Sequence, residues 1–416
     1  MPHNTVYPLA AVRALALYTQ GLTTPLGQEP NPTSEAIYNI IDQLGCIQID
    51  TLQMVRRSHY LVVWSRIGCF TTGDFDRLIY DSTYRRLFEG WQHAASIIPL
   101  DVYRYQMPHQ RQLREHPNKW YQNWISEPGN AELMQSALER VRREGALRAG
   151  DFEYHGPKRG SWWDWKPAKT ALEFLFAFGD LMITDRVNFQ RAYDLRERVM
   201  PVWVDTAEPT PVERDRFWLE QAVRTLGICL PAQVPGYANL KGSRAKPIIE
   251  DLITEGIFLP VKATLYDGKE YNLIMHRDND LLLEQAADGM ILPVCTSFLS
   301  PFDNLFWARD RDVQFWNFRN VLEAYKPGPT RTWGYFCLPI LYHDRLVGRF
   351  DPKLERQTAT LRLRALYLEN KTTPDEELVT AIAAAMRSFL AFHEASNLVI
   401  ERSVPADFGD RLLRAI

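Results

Sequence analysis

Gln48 and Asp50 are the two side chains whose types and spacing best suit chemistry in this chain, in the run Gly45-Cys46-Ile47-Gln48-Ile49-Asp50. Residues two apart on a strand point to the same side, roughly 6.5–7 Å apart along it, so Gln48 and Asp50 share a face while Ile47 and Ile49 point the other way. A carboxylate can take a proton from water or stabilise a developing cation, and a carboxamide can orient that water. Arg56 and Arg57 follow closely, then Ser58-His59-Tyr60, which could border such a site. The same alternation equally suits a strand whose polar face only hydrogen-bonds neighbouring loops, and the residues alone leave both readings open. His93, in Trp91-Gln92-His93, is open in the same way between a rim or core histidine and a pocket member. No His-Glu-x-x-His or Cys–His cluster offers a metal or nucleophile alternative.

The elements around this pair are legible. Ile37, Ile40, Ile41 and Leu44 recur at helical spacing from Ser34, a candidate N-cap, to Gly45, a stop, so the Gln-Ile-Asp strand leaves directly from a helix end. A helix is predicted from about 131, through Leu133, Ala137, Leu138 and Val141, and a second opens at Pro167. Strands at Leu181–Thr184 and Phe189–Leu195 follow, joined by a turn at Asp185–Asn188. The order recurs with helices at Val212–Leu226 and Arg244–Glu255, then strands Ile257–Tyr266 and Lys269–Met275 around Asp267-Gly268, a strong hairpin dipeptide. Helix, turn, helix and hairpin is the winged-helix order. From about Ile291 the texture turns to strands, with Ala359–Tyr367 read as an edge strand with one basic face. A single amphipathic helix, Asp375–Ala395, finishes the chain. The predicted class is α+β, tandem winged-helix units followed by a C-terminal β-barrel, divided as 1–125, 126–205, 206–288 and 289–416.

The 416 residues fit several domains, and 46% hydrophobic with 24% charged residues fit an ordinary globular protein. A net charge of -3 excludes a strongly basic, non-specific nucleic-acid binder, so phosphate contacts must come from local patches. Five scattered cysteines without Cys-x-x-Cys spacing argue against a disulfide framework and a structural zinc site. Without a signal-like N-terminus or a run of about 18 apolar residues, neither membrane insertion nor secretion is expected.

Gln48-Ile49-Asp50 resembles the Gln-aliphatic-Asp motif of the AlkZ/YcaQ-type DNA glycosylases, bacterial enzymes that remove alkylated purines and unhook interstrand crosslinks. The likeness extends through Ser58-His59-Tyr60-Leu61 to Ser65-Arg66-Ile67-Gly68, Gly160–Pro167, Asn188–Arg191, Arg198–Pro201, Ser300-Pro301-Phe302-Asp303 and Gly334-Tyr335-Phe336. It places the chain with the YcaQ-like branch, with one departure: His59 stands where that pattern has proline. The resemblance implies tandem winged helices with a β-barrel, a third winged unit within 1–120, and a monofunctional glycosylase. Asp50 would be its general base and Gln48 would orient the water. It would need no metal or cofactor and act as a cytoplasmic, nucleoid-associated monomer on double-stranded DNA bearing alkylated purines or crosslinks.

For the DNA path, His343, Arg345, Arg349 and Lys353 are expected to gather near a hairpin turn and bind phosphate. The alternative is a solvated hairpin with Arg349 and Asp351 as an ion pair. Arg186 at a wing tip and the helix start at Lys241, Arg244 and Lys246 are further candidates, while Trp162, Trp163 and Trp165 are read as inter-domain packing. A reading from another class is a non-catalytic winged-helix DNA-binding protein or transcriptional regulator, although tandem units in one slightly acidic chain fit that less well. A metal-dependent nuclease lacks a convincing carboxylate cluster.

Overall fold

A computed structural model describes residues 5–28, 32–152 and 167–416, so the Trp162, Trp163 and Trp165 cluster lies outside the described residues. Helix, strand, helix and hairpin follow one another at Asn130–Glu144, Leu147–Arg148, Pro167–Ala177, and Leu181–Val187 with Gln190–Leu195. They do so again at Pro211–Leu226, Ile228–Cys229, Gly242–Thr254, and Phe258–Thr264 with Glu270–His276. In each sheet the short first strand pairs with the second strand of the hairpin. The first strand of this hairpin runs three residues further than expected, to Val187, and the turn falls at Asn188 and Phe189, with positive φ of 51° and 66°. Two successive left-handed residues match the twist of a tight hairpin, and the Arg186 guanidinium lies 4.1 Å from the centre of the Phe189 ring.

The described chain divides into two compact units that do not follow chain order: residues 1–72, 92–96 and 218–416, and residues 73–91 and 97–217. Block 126–205 lies wholly in the second unit and block 289–416 wholly in the first, while 1–125 and 206–288 are each divided between them. The second unit packs Ala137, Val141, Leu172, Leu175, Leu181 and Tyr193 into one core. It also holds a buried charge cluster, in which Glu89 accepts from Arg186 at 2.6 Å and pairs with Arg191 at 3.4 Å.

In the first unit the C-terminal strands form a six-stranded sheet, half of a barrel, ordered Thr296–Phe298, Leu338–Tyr342, Arg345–Glu355, Thr360–Leu368, Asn397–Ile400, with Ser403–Val404 also on Thr360–Leu368. Two expectations are corrected here. Thr360–Leu368 is an inner strand, and its basic face is neutralised by Arg362 on Glu355 and Glu401 and by Arg364 on Asp351. The helix Glu376–Phe392, capped by Asp375 through the Leu378 N–H at 2.8 Å, does not end the chain: two short strands and the helix Ala406–Ala415 follow. Periodicity marks an amphipathic helix but cannot show that parallel strands beyond it return to the sheet.

Gly334 explains its own motif. Its φ is 153°, the next two N–H groups donate to Asp351 at 2.9 and 3.0 Å, and a Cβ there would come within 2.6 Å of three Asp351 atoms. Any side chain would displace the carboxylate that holds the turn.

Candidate active site

The helix Ser34–Leu44 is capped by Thr33 and not by Ser34: the Thr33 hydroxyl accepts from the Ala36 N–H at 3.3 Å. It stops at Gly45, with φ 75°, where a Cβ would sit 2.9 Å from Gln221. The strand that follows is only Ile47–Gln48, though the alternation is as expected: Ile47 and Ile49 are buried, Gln48 and Asp50 half-buried. Ile49 donates its N–H to the Ala95 carbonyl at 2.8 Å. Asp50 lies just past the strand because its carboxylate accepts from the Leu52 N–H, two residues on, at 2.8 Å. That local bond competes with sheet pairing and turns the chain.

Burial pushes the Asp50 pKa above the ordinary aspartate value. The Leu52 and Thr51 N–H groups and the Arg57 charge pull it back only in part. Arg57 is itself held by the Thr51 carbonyl and Gln53 Oε1, both at 3.1 Å. Ser58 is buried and donates to the Gln48 carbonyl at 3.2 Å, so the start of the helix Ser58–Ile67 pins the strand. His59 is buried with its ring 4.1 Å from Tyr60, and His93 stacks on Trp307 at 4.4 Å with an interplanar angle of 7°. Burial lowers the His93 pKa, which keeps the ring neutral. The Asn304 amide ties this group to the strand through the Cys46 carbonyl at 2.8 Å and the Tyr237 hydroxyl at 3.1 Å.

Two stretches quoted for the resemblance meet behind the strand. Arg66 donates to both oxygens of Asp303, at 2.7 and 2.9 Å, with both side chains fully buried. The same helix buries Trp64 against Phe298, Phe389 and Phe392, seating the site on the half-barrel.

The expected basic cluster is dispersed. His343 and Arg345 are at the hairpin tip, but Lys353 lies eight residues along the same strand, on the order of 25 Å away. Arg349 is 3% exposed, bonded to Glu369 at 2.8 Å and the Arg319 carbonyl at 2.9 Å, and lies against Phe318 and Trp333. It is therefore an interior residue and meets no phosphate. Its partner is Glu369, whereas Asp351 pairs with Arg364. Arg186 is likewise committed to Glu89. A strand alternates its faces, so basic residues an even number apart can still differ in burial once other segments cover one end. Arg345, Lys353 and Arg244 are exposed.

Composition did not flag Tyr325, a neighbour of Asp50, or Arg356, which joins Arg57 in lining a cleft. Tyr325 is 78% exposed, and its pKa is raised by burial of part of the ring and then by the Asp50 charge. Arg356 lines a cleft with Arg56 and Arg57. The paired arginines are visible beside the motif, but Tyr325 reaches Asp50, and Arg356 reaches the cleft lined by Arg57, only through the fold. Among the described residues no three His, Cys, Asp or Glu side chains converge as a metal set, and no helix is long and apolar enough to cross a membrane.

The family model described as DNA glycosylase AlkZ-like matches residues 41–392, which takes in the strand, the Arg66–Asp303 pair and most of the half-barrel. The chain belongs to the AlkZ-like DNA glycosylase family. Membership makes it a DNA glycosylase, a repair enzyme that binds DNA. The structure of Streptomyces sahachiroi DNA glycosylase AlkZ superposes with a TM-score of 0.63 at 12% identity, over 96% of this chain and 100% of that one. At that identity the likeness is one of fold.

Proposed function

We propose that this glycosylase hydrolyses the N-glycosidic bond of bulky N7-alkylpurines and unhooks interstrand crosslinks formed through them, with Gln48 and Asp50 as the reacting pair. A purine alkylated at N7 is already cationic, so it leaves without a proton and no general acid is needed. The transition state instead requires negative charge near an oxocarbenium-like sugar and a water held for attack. Asp50 supplies the charge and takes the proton from the water as its oxygen bonds C1′, while Gln48 orients that water. A metal has no step to perform in this scheme.

One observation carries the reading: a half-buried carboxylate with a raised pKa shares a face with a carboxamide, while the isoleucines between are buried. Perturbed carboxylates of this kind concentrate at functional sites. The repeated helix, strand, helix and hairpin blocks are read as winged helices, and exposed Arg345, Lys353 and Arg244 as phosphate contacts. Ser58, with the Gln48 carbonyl on its hydroxyl, positions the pair.

The test is incubation with a duplex carrying an N7-alkylguanine, and separately a nitrogen-mustard crosslink, with and without EDTA. Release of free alkylated base and an intact abasic strand, unchanged by EDTA, is expected. Loss of excision in EDTA would replace the scheme with a metal-assisted one. A covalent adduct trapped by borohydride would bring in a lysine Schiff base.

A further inference from the structure

We infer that the cleft bordered by Arg56, Arg57 and Arg356 is a phosphodiester-binding site, which holds the backbone of the processed strand beside Asp50. The cleft has a volume of about 290 Å³ and lies wholly within the first unit. That is room for a phosphate with part of its sugar but small for a drug-sized ligand. This rests on the glycosylase reading above and adds the way in which the strand is held.

Charge is the first argument. Among the cleft's charged side chains, three guanidiniums face one carboxylate, Glu394, which pairs with Arg56 at 2.8 Å and is 83% exposed. The other titratable side chains on the wall are Tyr60 and His393, and burial drives the His393 pKa down to about 3, so that ring adds no charge and no proton switch at neutral pH. A chain of net charge -3 therefore keeps a local cationic hollow next to its candidate catalytic carboxylate.

Orientation is the second. The Arg56 Nε donates to the Phe392 carbonyl at 2.6 Å and its guanidinium lies 4.9 Å from that ring's centre, and Arg356 donates to the Val55 carbonyl at 3.2 Å. A guanidinium has five N–H donors, so main-chain anchors of this kind aim the head and still leave donors for a phosphate on Arg356. The segment carrying Arg56 and Arg57 is strapped to the half-barrel, where the Leu354 N–H donates to the Met54 carbonyl at 2.8 Å. The third argument is position. Arg57 lines the cleft and its charge also pulls the Asp50 pKa down, so one guanidinium acts both on the carboxylate and on a phosphate seated in the cleft.

The experiment measures binding of lesion duplexes that carry one neutral methylphosphonate at successive positions of the damaged strand, for wild type, Arg356→Gln, Arg356→Lys and the Arg56→Gln/Arg356→Gln pair. For wild type, one or two positions next to the lesion should cost about tenfold in affinity. Arg356→Gln should bind more weakly and lower the slope of log affinity against log salt by ~1, and the same methylphosphonates should cost it little more. Arg356→Lys should restore the wild-type pattern. Should the double variant fold poorly, Arg356→Gln alone decides, because that side chain is exposed. Identical methylphosphonate penalties in wild type and Arg356→Gln overturn the site. Titration with inorganic phosphate forms a second arm: saturation by wild type with no coupling to any backbone position would assign the cleft to a free anion and overturn the DNA assignment. Excision by wild type is read separately, so failure of the glycosylase scheme and failure of the cleft give different results.

Discussion

Asp50 and Asp303 both lie in stretches by which the chain resembles its family, and both are within the first unit, yet the fold treats them oppositely. Asp303 is fully buried and met on both oxygens by Arg66, an ion pair whose job is to bind the helix Ser58–Ile67 to the segment after Ser300. Asp50 is left half-buried at a strand end, its pKa raised because its hydrogen bonds and Arg57 compensate burial only in part. A carboxylate that is fully compensated is inert. One that carries a residual desolvation cost has a reason to take a proton, and a motif position alone does not tell the two apart.

The comparison breaks most decisively at Asp303. Asp303→Asn leaves Arg66 buried without its counter-charge and should destabilise the fold by about 3–5 kcal/mol, read as a lower denaturation midpoint. A wild-type midpoint would show that the pair does not hold the two segments together.

Asp50→Asn should do the reverse. Single-turnover base excision is expected to fall by ~10²-fold or more, while the Tm stays level or rises slightly. The sign follows from linkage: the folded pKa lies above the unfolded one, so the folded state holds its proton more tightly, and stability contributed by Asp50 falls as pH rises through that interval. A neutral side chain is spared the cost at pH 7. Gln48→Ala should lose a similar factor, since the Ser58 bond goes to the Gln48 main chain and survives. Near-wild-type excision by Asp50→Asn would remove the mechanism, and a collapsed Tm would make Asp50 a second Asp303.

The pH profile sharpens the same contrast. Excision should decline with falling pH along a limb whose midpoint lies above the usual ~3.9 of aspartate, in line with the raised Asp50 pKa. Fixed-charge N7-alkylguanine adds no protonation step of its own. The limb should vanish from the residual activity of Asp50→Asn; its persistence would assign it to another group.

The smallest expected effect compares Arg349 and Arg345 on one strand. Arg349→Ala should lower the Tm, by leaving Glu369 and the Arg319 carbonyl without their donor, and should leave the salt dependence of DNA binding as it was. Arg345→Ala should keep the Tm and reduce the salt slope by ~1. An unchanged slope for Arg345→Ala would take the hairpin tip off the DNA path.

Local signals are legible where the physics is local. Alternation of Ile47, Gln48, Ile49 and Asp50 placed two polar side chains on one face, Asp267-Gly268 marked its hairpin, and Pro167 opened its helix, because periodicity, turn chemistry and fixed φ act over a few residues. The limits were also local: the Asp50 side chain took the Leu52 N–H and shortened the strand, a competition that a pattern of apolar residues does not register.

The sequence by itself determined which elements form, which face of each is apolar and where the chemically capable residues are. Only the tertiary structure decided which charges are spent. Arg349, Arg186 and Arg66 look like Arg345, Arg56 and Arg356 in a string of letters, yet the first three are consumed by Glu369, Glu89 and Asp303. Arg345 and Arg356 are exposed, and Arg56, although paired with the exposed Glu394, borders a cleft. The physical reason is that an arginine's partner is set by whichever carboxylate the fold brings within a few ångströms. Burial then decides whether that pair is locked or screened by water, and neither quantity is a property of neighbours along the chain.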